Sequence, residues 1–405
     1  MKRPGKRRII VSAISLVACI CLVCFVQRKL SRYGVMHIAF APPAIDFYAS
    51  PVDSSLLPAS DAGPTRNVIL FIGDGMGLGT IFLASMSRND PSMRLNMERM
   101  PVVGLVRTQS ANYLHTDSAA AATAMATGHK TNNDLLSILP DGTALKTILE
   151  CARDENMRTG VIVTCSFADK TPAAFMIHGD SNDGEAAIAE KISTSLPNVL
   201  FGCPPREWRS AGKKDEDSFV ASAMEQHYVI VRDRASLAEA NGPLLVGIFE
   251  ENRSGTPTLP ELVEKSLSVL SVDPGEGKKG FLLVVEGSYI DKWAHANDTE
   301  RVIQETLWMD LAIGKVLEFS QITPGTLVVV TADHDTGGIS FPKIADIPYL
   351  SWGSRSHTAE PVPLFAYGAG AEIFSGVYDN TGIAHRIAYA LGLQLSEVPA
   401  NTKKK

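Results

Sequence analysis

The chain has 405 residues, of which 45% are apolar and 20% charged, so it can form a full hydrophobic core in one large or two medium domains. The net charge of -6 argues against non-specific binding to nucleic acid, because such binding requires an excess of Lys and Arg. Eight of the 38 basic residues and no acidic ones lie in residues 1–32, which leaves 30 basic against 44 acidic residues, or -14, in the remainder. The basic amino-terminal segment and the acidic body therefore need separate explanations.

The amino-terminal segment carries a membrane signal. Residues 9–26 are an uninterrupted run of apolar residues, serines and cysteines, about the shortest run that spans a bilayer as a helix. Five basic residues precede the run and three follow it, which predicts a signal anchor with residues 1–8 in the cytoplasm and the body in the periplasm or outside the cell. Two alternatives stay open: a cleaved signal peptide that gives a secreted form, and lipoprotein processing at Cys19.

The body of the chain is predicted to be a single domain. Residues 27–63 are rich in Pro, Ala, Ser and Asp and predict a stalk or linker, residues 64–398 form the domain, and residues 399–405 are a basic tail. Within the domain, apolar runs at 67–72, 158–165, 244–249, 281–285 and 327–331 alternate with helical patterns such as 143–156 and 299–319. This alternation predicts an α/β fold, a three-layer sandwich whose mostly parallel central sheet is covered by helices on both faces.

The three cysteines of the body show no pairing pattern. Cys151, Cys165 and Cys203 are an odd number without short-range spacing, and no CxxC pair indicates a cysteine zinc site. We expect buried or free thiols.

The first strand end carries a candidate metal ligand. Ligands of parallel α/β sheets bind at the carboxyl ends of the strands, and the run 67–72 ends in GDGMG with Asp74. The glycine spacing does not match a dinucleotide loop, and an aspartate there would repel a pyrophosphate. The pattern indicates a metal-binding carboxylate with close backbone approach, and the alternative is a plain glycine turn.

The next candidate is a serine before an alanine-rich helix. Asp117 or Ser118 suits the N-cap of the helical run 119–126, which is the purely structural interpretation. The functional interpretation makes Ser118 a nucleophile, because a helix amino terminus favours an anion and a cation would lower the pKa of the hydroxyl.

Two later strand ends carry carboxylates and imidazoles. Run 281–285 leads into EGSYIDKWAH, where Asp291 and His295 share one helix face if a helix begins near Ser288, while Glu286 stays at the strand end. Run 327–331 leads into Asp333 and His334, and a buried unpaired aspartate is costly without a cation. A solvated helix start and a capped turn are the alternatives.

His357, before the apolar strand 362–367, is more typical of a structural residue when taken alone. Together these sets predict a multi-metal site with a nucleophile, as in phosphoryl-transfer hydrolases.

These motifs, in this order, resemble those of the alkaline phosphatase family over about residues 67–393. The most specific is Asp117, Ser118 and the small residues that run to Thr123, which is similar to the family's active-site signature. The other motifs that match in order and context are GDGMG, DKTPAA, EGSYIDKWAH, TADH and SHT.

The resemblance implies a phosphomonoesterase that works through a phosphoserine on Ser118, with two Zn²⁺ and one Mg²⁺. It implies one zinc held by Asp291, His295 and His357, a second zinc held by Asp74, Asp333 and His334 with Ser118, and a magnesium held by Asp74, Thr171 and Glu286. Asp169 and Lys292 match a pair that in some bacterial members flanks the magnesium site and the phosphate. Phosphate monoesters are the implied substrates, no nucleic acid is expected as a partner, and family members are often homodimers.

One position departs from the family pattern. Where the family places a phosphate-binding arginine, this chain has Asn182, which donates a neutral hydrogen bond where arginine supplies a charged fork. Lys170, Lys292 or an arginine from residues 202–214 are candidates to replace it. Two alternatives follow from the departure: a phosphodiesterase of the same superfamily, and a membrane-tethered phosphate-binding pseudoenzyme.

Overall fold

The structure, a computed structural model, describes residues 36–39, 48, 63–88, 94–210, 214–251, 255–272, 279–344 and 347–396. Within these ranges, no helix combines the length and the apolar character needed to cross a bilayer. The predicted anchor at 9–26, the tail at 1–8 and the basic tail at 399–405 lie outside the described residues, so these assignments stay predictions.

The described strands and helices alternate along the chain. The strands are β1 Met36–Ala39, β2 Asn67–Gly73, β3 Val102–Arg107, β4 Leu135–Leu136, β5 Arg158–Ser166, β6 Gly179–Asp180, β7 Val199–Cys203, β8 Val229–Val231, β9 Leu245–Ile248, β10 Phe281–Gly287, β11 Thr326–Thr331, β12 Asp335–Thr336, β13 Ile339–Ser340, β14 Lys343–Ile344, β15 Ile347–Trp352, β16 His357–Thr358, β17 Val362–Gly368 and β18 Gly376–Asp379. The α-helices are α1 Leu78–Met86, α2 Ser118–Thr127, α3 Ile148–Asp154, α4 Lys170–Met176, α5 Glu185–Ser193, α6 Arg206–Ser210, α7 Lys214–Glu225, α8 Arg234–Glu239, α9 Leu259–Leu270, α10 Tyr289–Ala296, α11 Thr299–Ile322 and α12 Thr381–Leu391.

A ten-stranded sheet forms the centre of the domain, in the order β18-β3-β17-β11-β2-β10-β5-β7-β9-β8. Every pairing is parallel except the two made by β17, which runs against the other nine strands. All residues of β2, β10 and β11 are buried, as expected of parallel strands that are covered on both faces.

Helices cover the sheet in two groups that pack against the same central strands. Helices α9 and α11 contact β10 with α1 and α10 beside them, and α3 and α4 contact β10 with α2 and α12 beside them. The prediction of a three-layer α/β sandwich with a mostly parallel central sheet is therefore confirmed.

Several element boundaries differ from the sequence pattern for local reasons. The helix expected at 143–156 begins only at Ile148, because Thr147 accepts a hydrogen bond from the backbone N-H of Glu150 and the Glu150 carboxylate accepts from that of Thr147. Helix α2 begins where Asp117 accepts a hydrogen bond from the backbone of Ala120, and it ends at Gly128 in the left-handed region, φ 78°. Cys151, Cys165 and Cys203 are buried, as predicted.

Two described parts of the segment predicted as a stalk lie on the domain. Strand β1 pairs antiparallel with β15. The half-buried Tyr48 donates a short hydrogen bond to Asp310, a buried carboxylate of α11 that also accepts from the backbone N-H groups of Asn96 and Met97 at 2.8 and 2.9 Å. At these two places the segment is part of the folded domain.

The contact between Tyr48 and Asp310 predicts a measurable contribution to stability. Tyr48→Phe leaves the buried carboxylate without one of the donors described above, so we expect the free energy of unfolding at pH 8 to fall by about 1 to 3 kcal/mol. Urea denaturation measures the change, and Tyr389→Phe, at a position 79% exposed, is the matched control. Equal stability of the two variants would show that residue 48 does not dock on the domain.

Candidate functional site

Three carboxylates meet at the carboxyl edge of the central sheet. In the sheet register Glu286 of β10 lies beside Ile72 of β2, so Asp74, two residues further on, lies at the same edge. Asp333 follows the neighbouring β11. All three side chains are buried, and each has an oxygen with no hydrogen-bond partner among the described residues: Oδ1 of Asp74, Oε2 of Glu286 and Oδ2 of Asp333. Buried carboxylate oxygens without donors indicate that another positive group belongs there.

His334 lies beside these carboxylates and beside the predicted nucleophile. Its Nε2 is 3.2 Å from Oδ2 of Asp333, 3.6 Å from Oδ1 of Asp74 and 3.2 Å from Oγ of Ser118. Oδ1 of Asp333 accepts from the backbone N-H of Gly75 at 3.1 Å, so this carboxylate is fixed on one side and open on the side of His334.

A hydroxyl sets the tautomer of His334. Oγ1 of Thr336 donates to Oδ1 of Asp291 at 2.5 Å, so it must accept when Nδ1 of His334 approaches it at 3.2 Å. Nδ1 therefore carries the proton, and the lone pair of Nε2 faces Ser118 and the carboxylates.

The second group of predicted ligands also comes together. Nε2 of His295 is 3.3 Å from Oδ2 of Asp291 and 3.2 Å from Nε2 of His357, and Nε2 of His357 is 3.8 Å from Oδ1 of Asp291. Nδ1 of His295 donates to the carbonyl of Arg355 at 2.7 Å, and Nδ1 of His357 donates to that of Thr116 at 2.8 Å. A carbonyl only accepts, so both rings carry a proton on Nδ1 and turn Nε2 towards the same space.

The two groups are adjacent and fit divalent cations. The rings of His334 and His357 stack with centroids 3.5 Å apart. Ligand atoms lie within 4.8 Å of one another in two sets: Asp74, Asp333 and His334, and Asp291, His334 and His357. Carboxylate oxygens without donors and imidazoles with free lone pairs are the ligands that divalent metals use.

A glycine makes this close approach of chain segments possible. Gly75 lies between the strand end and the ligands at φ 70°, in the left-handed region that favours glycine. A Cβ at this position would come within 2.8 Å of Oδ1 of Asp291 and 2.9 Å of Oγ1 of Thr336. The backbone at the GDGMG turn therefore runs directly against the ligand groups.

The remaining predicted residues divide between the site and its rim. Thr171 is buried in the first turn of α4, which contacts β10, the strand that carries Glu286. Nζ of Lys292 forms an ion pair with Oδ2 of Asp169 at 3.0 Å, between the end of β5 and α10. Asn182 is exposed, and its backbone N-H donates to Asp180 at 2.8 Å. The structure records no contact between Asn182 and the ligand groups among its described hydrogen bonds.

Comparison with known proteins identifies the family. A family model described as alkaline phosphatase matches residues 65–351 and 340–393, which is most of the chain. The chain belongs to the alkaline phosphatase family. As in that family, it is a metal-dependent enzyme that hydrolyses phosphate monoesters.

Individual relatives agree with this assignment. The chain is 31% identical over 425 residues to the streptomycin-6-phosphate phosphatase of Streptomyces griseus, covering 85% of this chain and 94% of that protein. It is 29% identical over 415 residues to the alkaline phosphatase of Escherichia coli (strain K12), with coverages of 82% and 87%. The solved structure of the alkaline phosphatase from the Antarctic bacterium TAB5 superposes with a TM-score of 0.73 at 31% identity, covering 81% of this chain and 99% of that one.

The electrostatics of the alkaline phosphatase site reflect crowded, buried carboxylates. Burial raises the pKa of Asp74 well above its usual range, and the charges of Asp333, Asp291 and Glu286 add to the shift. Burial likewise raises the pKa of Glu286 well above its usual range, with a further contribution from Asp169, and raises the pKa of Asp333 to about 6. These carboxyl groups therefore hold protons more tightly than free ones when no cation is bound.

The pKa values of the three imidazoles are shifted in opposite directions. Burial lowers the pKa of His334 to about 4 and also lowers the pKa of His357, which keeps both rings neutral and able to bind a cation. The hydrogen bond to Asp291 raises the pKa of His295 to about 9, against the effect of its burial. Although burial opposes it, the hydrogen bond and charge of His295 hold the pKa of Asp291 below its usual range.

The sequence motifs did not reveal Thr336 or the carbonyls of Thr116 and Arg355. Thr336 lies two residues after His334 in the short strand β12, and side chains two apart in extended chain share a face. That spacing is a signal for Thr336. The two carbonyls belong to segments far away in sequence, and a backbone carbonyl carries no signal in the residue type.

Thr336 provides the test of the site geometry. Thr336→Val removes the hydroxyl that links His334 to Asp291, so we expect the dissociation constant for Zn²⁺ to rise about 10- to 100-fold. Competition with a chromogenic chelator measures it. Thr331→Val is the matched control, because its equally buried hydroxyl donates to the carbonyl of Pro363 and contacts no ligand group. An unchanged constant in Thr336→Val would mean that the hydroxyl does not position the ligands.

Proposed function

We propose that this enzyme hydrolyses phosphate monoesters through a phosphoserine on Ser118, with two Zn²⁺ and one Mg²⁺ at the site. The observation that carries the proposal is the position of Ser118: its Oγ is 3.2 Å from Nε2 of His334, at the point where the buried carboxylates of Asp74 and Asp333 converge. A hydroxyl in that position lies next to the groups that would hold cations, which is where an activated oxygen nucleophile is needed.

The start of α2 supports an anion at the same place. Asp117 accepts from the backbone N-H of Ala120 at 2.9 Å, so the N-H groups of Ser118 and Ala119, in the first turn, have no partner within the helix. These groups and the positive end of the ten-residue helix favour the negative oxygens of a phosphoryl group bound to Ser118.

The ligand types support the assignment of the metals. Imidazole and carboxylate ligands suit zinc, and we assign one Zn²⁺ to Asp291, His295 and His357 and the other to Asp74, Asp333 and His334. An all-oxygen set suits magnesium, and we assign it to Asp74, Thr171 and Glu286. A mutant of the TAB5 alkaline phosphatase is described with Mg bound in its M3 site. When bound, the cations would lower the pKa of the hydroxyl and of water and stabilise the oxygen of the leaving alcohol.

The reaction then consists of two displacements at phosphorus. The oxygen of Ser118 forms a bond to phosphorus as the ester P-O bond breaks, and the leaving alkoxide takes up a proton. A water oxygen next forms a bond to phosphorus, and the Ser118-phosphorus bond breaks to release inorganic phosphate and restore the hydroxyl. The relatives include one named for a single substrate and others named only as alkaline phosphatases, so family membership leaves the physiological ester open.

The nucleophile is tested with a pair of serine variants. In the metal-loaded enzyme, Ser118→Ala should lower kcat for p-nitrophenyl phosphate by several orders of magnitude. Ser193→Ala should leave kcat unchanged, because the Ser193 hydroxyl donates to the carbonyl of Glu190 within α5. Acid quenching of the wild type during turnover, followed by mass spectrometry, should find phosphate on Ser118.

Four results would contradict the proposal. Full turnover in Ser118→Ala, or phosphate trapped on another residue, would exclude this nucleophile. Faster hydrolysis of the bis(p-nitrophenyl) ester than of the monoester would favour the phosphodiesterase alternative. No serine-dependent hydrolysis of either ester after chelation and zinc restoration would favour the pseudoenzyme.

A further inference from the structure

A phosphoryl group at Ser118 would need a positive partner on the side away from the ligand carboxylates. Its negative charge is spread over three non-bridging oxygens, and charge-assisted hydrogen bonds are the strong way to hold them. Among the ion pairs of the described residues, one joins a cation to the residue directly before the nucleophile: Nζ of Lys170 is 3.5 Å from Oδ2 of Asp117. Asp117 in turn caps the helix that Ser118 begins.

A second carboxylate fixes the lysine in this position. Nζ of Lys170 is 3.0 Å from Oδ1 of Asp134, and the backbone N-H of Asp134 donates to Oδ2 of Asp117 at 2.9 Å. Asp134 has φ 69°, a left-handed conformation that is uncommon for residues other than glycine and is enriched at functional sites when the surrounding structure holds it. Lys170, Asp117 and Asp134 thus form a closed triangle of contacts next to Ser118.

The same triangle contacts the segment that carries Asn182. The backbone N-H of Ser181 donates to the carbonyl of Asp134 at 2.7 Å, and β4 pairs with β6 directly beside this contact. The exposed Asn182 brings no charge to this edge. Among the described ion pairs, that of Lys170 is therefore the one that joins a cation to the place where this segment and the start of α2 meet.

Lys292, the other lysine close to the site, is placed differently. Its Nζ pairs with the carboxylate of Asp169 at 3.0 Å, and its charge also acts on the buried Glu286. The Lys292 side chain is 25% exposed, whereas that of Lys170 is 37% exposed. Lys292 offsets buried carboxylate charge, whereas Lys170 has the more exposed side chain of the two, on the side from which an ester would enter.

We propose that Lys170 binds a non-bridging phosphate oxygen of the substrate, moving from Asp117 to the phosphate while Asp134 keeps hold of it. This inference rests on the proposed function, in which Ser118 receives the phosphoryl group. An ammonium is a point charge with three donors and no planar fork, so it responds to the charge of the phosphate more than to its orientation. A dianionic monoester therefore gains more from Lys170 than a monoanionic diester does.

The test compares Lys170→Met, Lys170→Arg and Lys315→Met in the metal-loaded full-length protein. Lys315 is the matched control because it also pairs with two carboxylates, those of Glu264 and Glu318, and is 43% exposed. Calorimetry with inorganic phosphate gives the dissociation constant, metal analysis gives the occupancy, and kinetics with p-nitrophenyl phosphate and its bis ester give kcat/KM for each.

We expect Lys170→Met to raise the dissociation constant for phosphate about 10- to 100-fold at full metal occupancy. The kcat/KM of this variant for the monoester should fall more than its kcat/KM for the bis ester. A purely structural role of Lys170 would not change the ratio of these two values. The dissociation constant and kcat/KM values of Lys170→Arg should stay within a few-fold of those of the wild type. Those of Lys315→Met should equal the wild-type values.

Two outcomes would overturn the proposal. If the dissociation constant of Lys170→Met for inorganic phosphate lies within twofold of the wild-type value, the lysine does not contact the phosphate. Loss of bound metal in the same variant, together with weaker phosphate binding, would assign Lys170 to the support of the metal site instead. Failure of the proposed function is distinguishable, because it appears in the wild type as absence of phosphoserine at Ser118 whatever the variants bind.

Discussion

The buried negative charge at the carboxyl edge of the sheet is the constraint on which the site depends. Asp74, Glu286 and Asp333 follow or end three neighbouring strands, and each has a buried oxygen with no donor among the described residues. Isolated buried carboxylates are costly, so such an arrangement persists only if protons or cations neutralise it. The pKa values of these groups are raised because the same cost of buried negative charge makes each carboxylate bind a proton more tightly.

The fold supplies this arrangement by packing the strands rigidly. Apolar side chains bury β2, β10 and β11 on both faces, and the parallel register brings their ends to one line. Hydrogen bonds to backbone carbonyls and to Thr336 then orient the imidazoles, so that their Nε2 atoms face the carboxylates before any cation is present. Ser118 reaches the same point from a separate helix start, which places a nucleophile beside the cation ligands.

Much of this architecture could be predicted from the sequence because it depends on local pattern. The apolar runs at 67–72, 281–285 and 327–331 predicted strands, and a parallel sheet places the polar residues after them at one edge. The reversed direction of β17, the left-handed conformation of Asp134 and the bridge through Thr336 were not predicted. Each of these depends on contacts between segments far apart in the chain. The spacing from His334 is a signal for Thr336 itself, but it does not report the hydrogen bond from Thr336 to Asp291.

The central claim is that cations take the place of protons on the buried carboxylates. Infrared difference spectroscopy at pH 6 measures it directly, because protonated carboxyl groups and carboxylates have separate C=O stretching bands. A folded-state pKa above its usual value means that a carboxyl group keeps its proton at a pH where a free one has lost it. The metal-free protein should therefore show a band from protonated carboxyl groups that weakens, with a matching gain in carboxylate, when Zn²⁺ and Mg²⁺ are added, while buried carboxyl groups away from the site, such as Asp310, keep their share of the band. A metal-free protein with no protonated carboxyl band at this pH, or a band whose intensity does not fall on metal loading, would contradict the account.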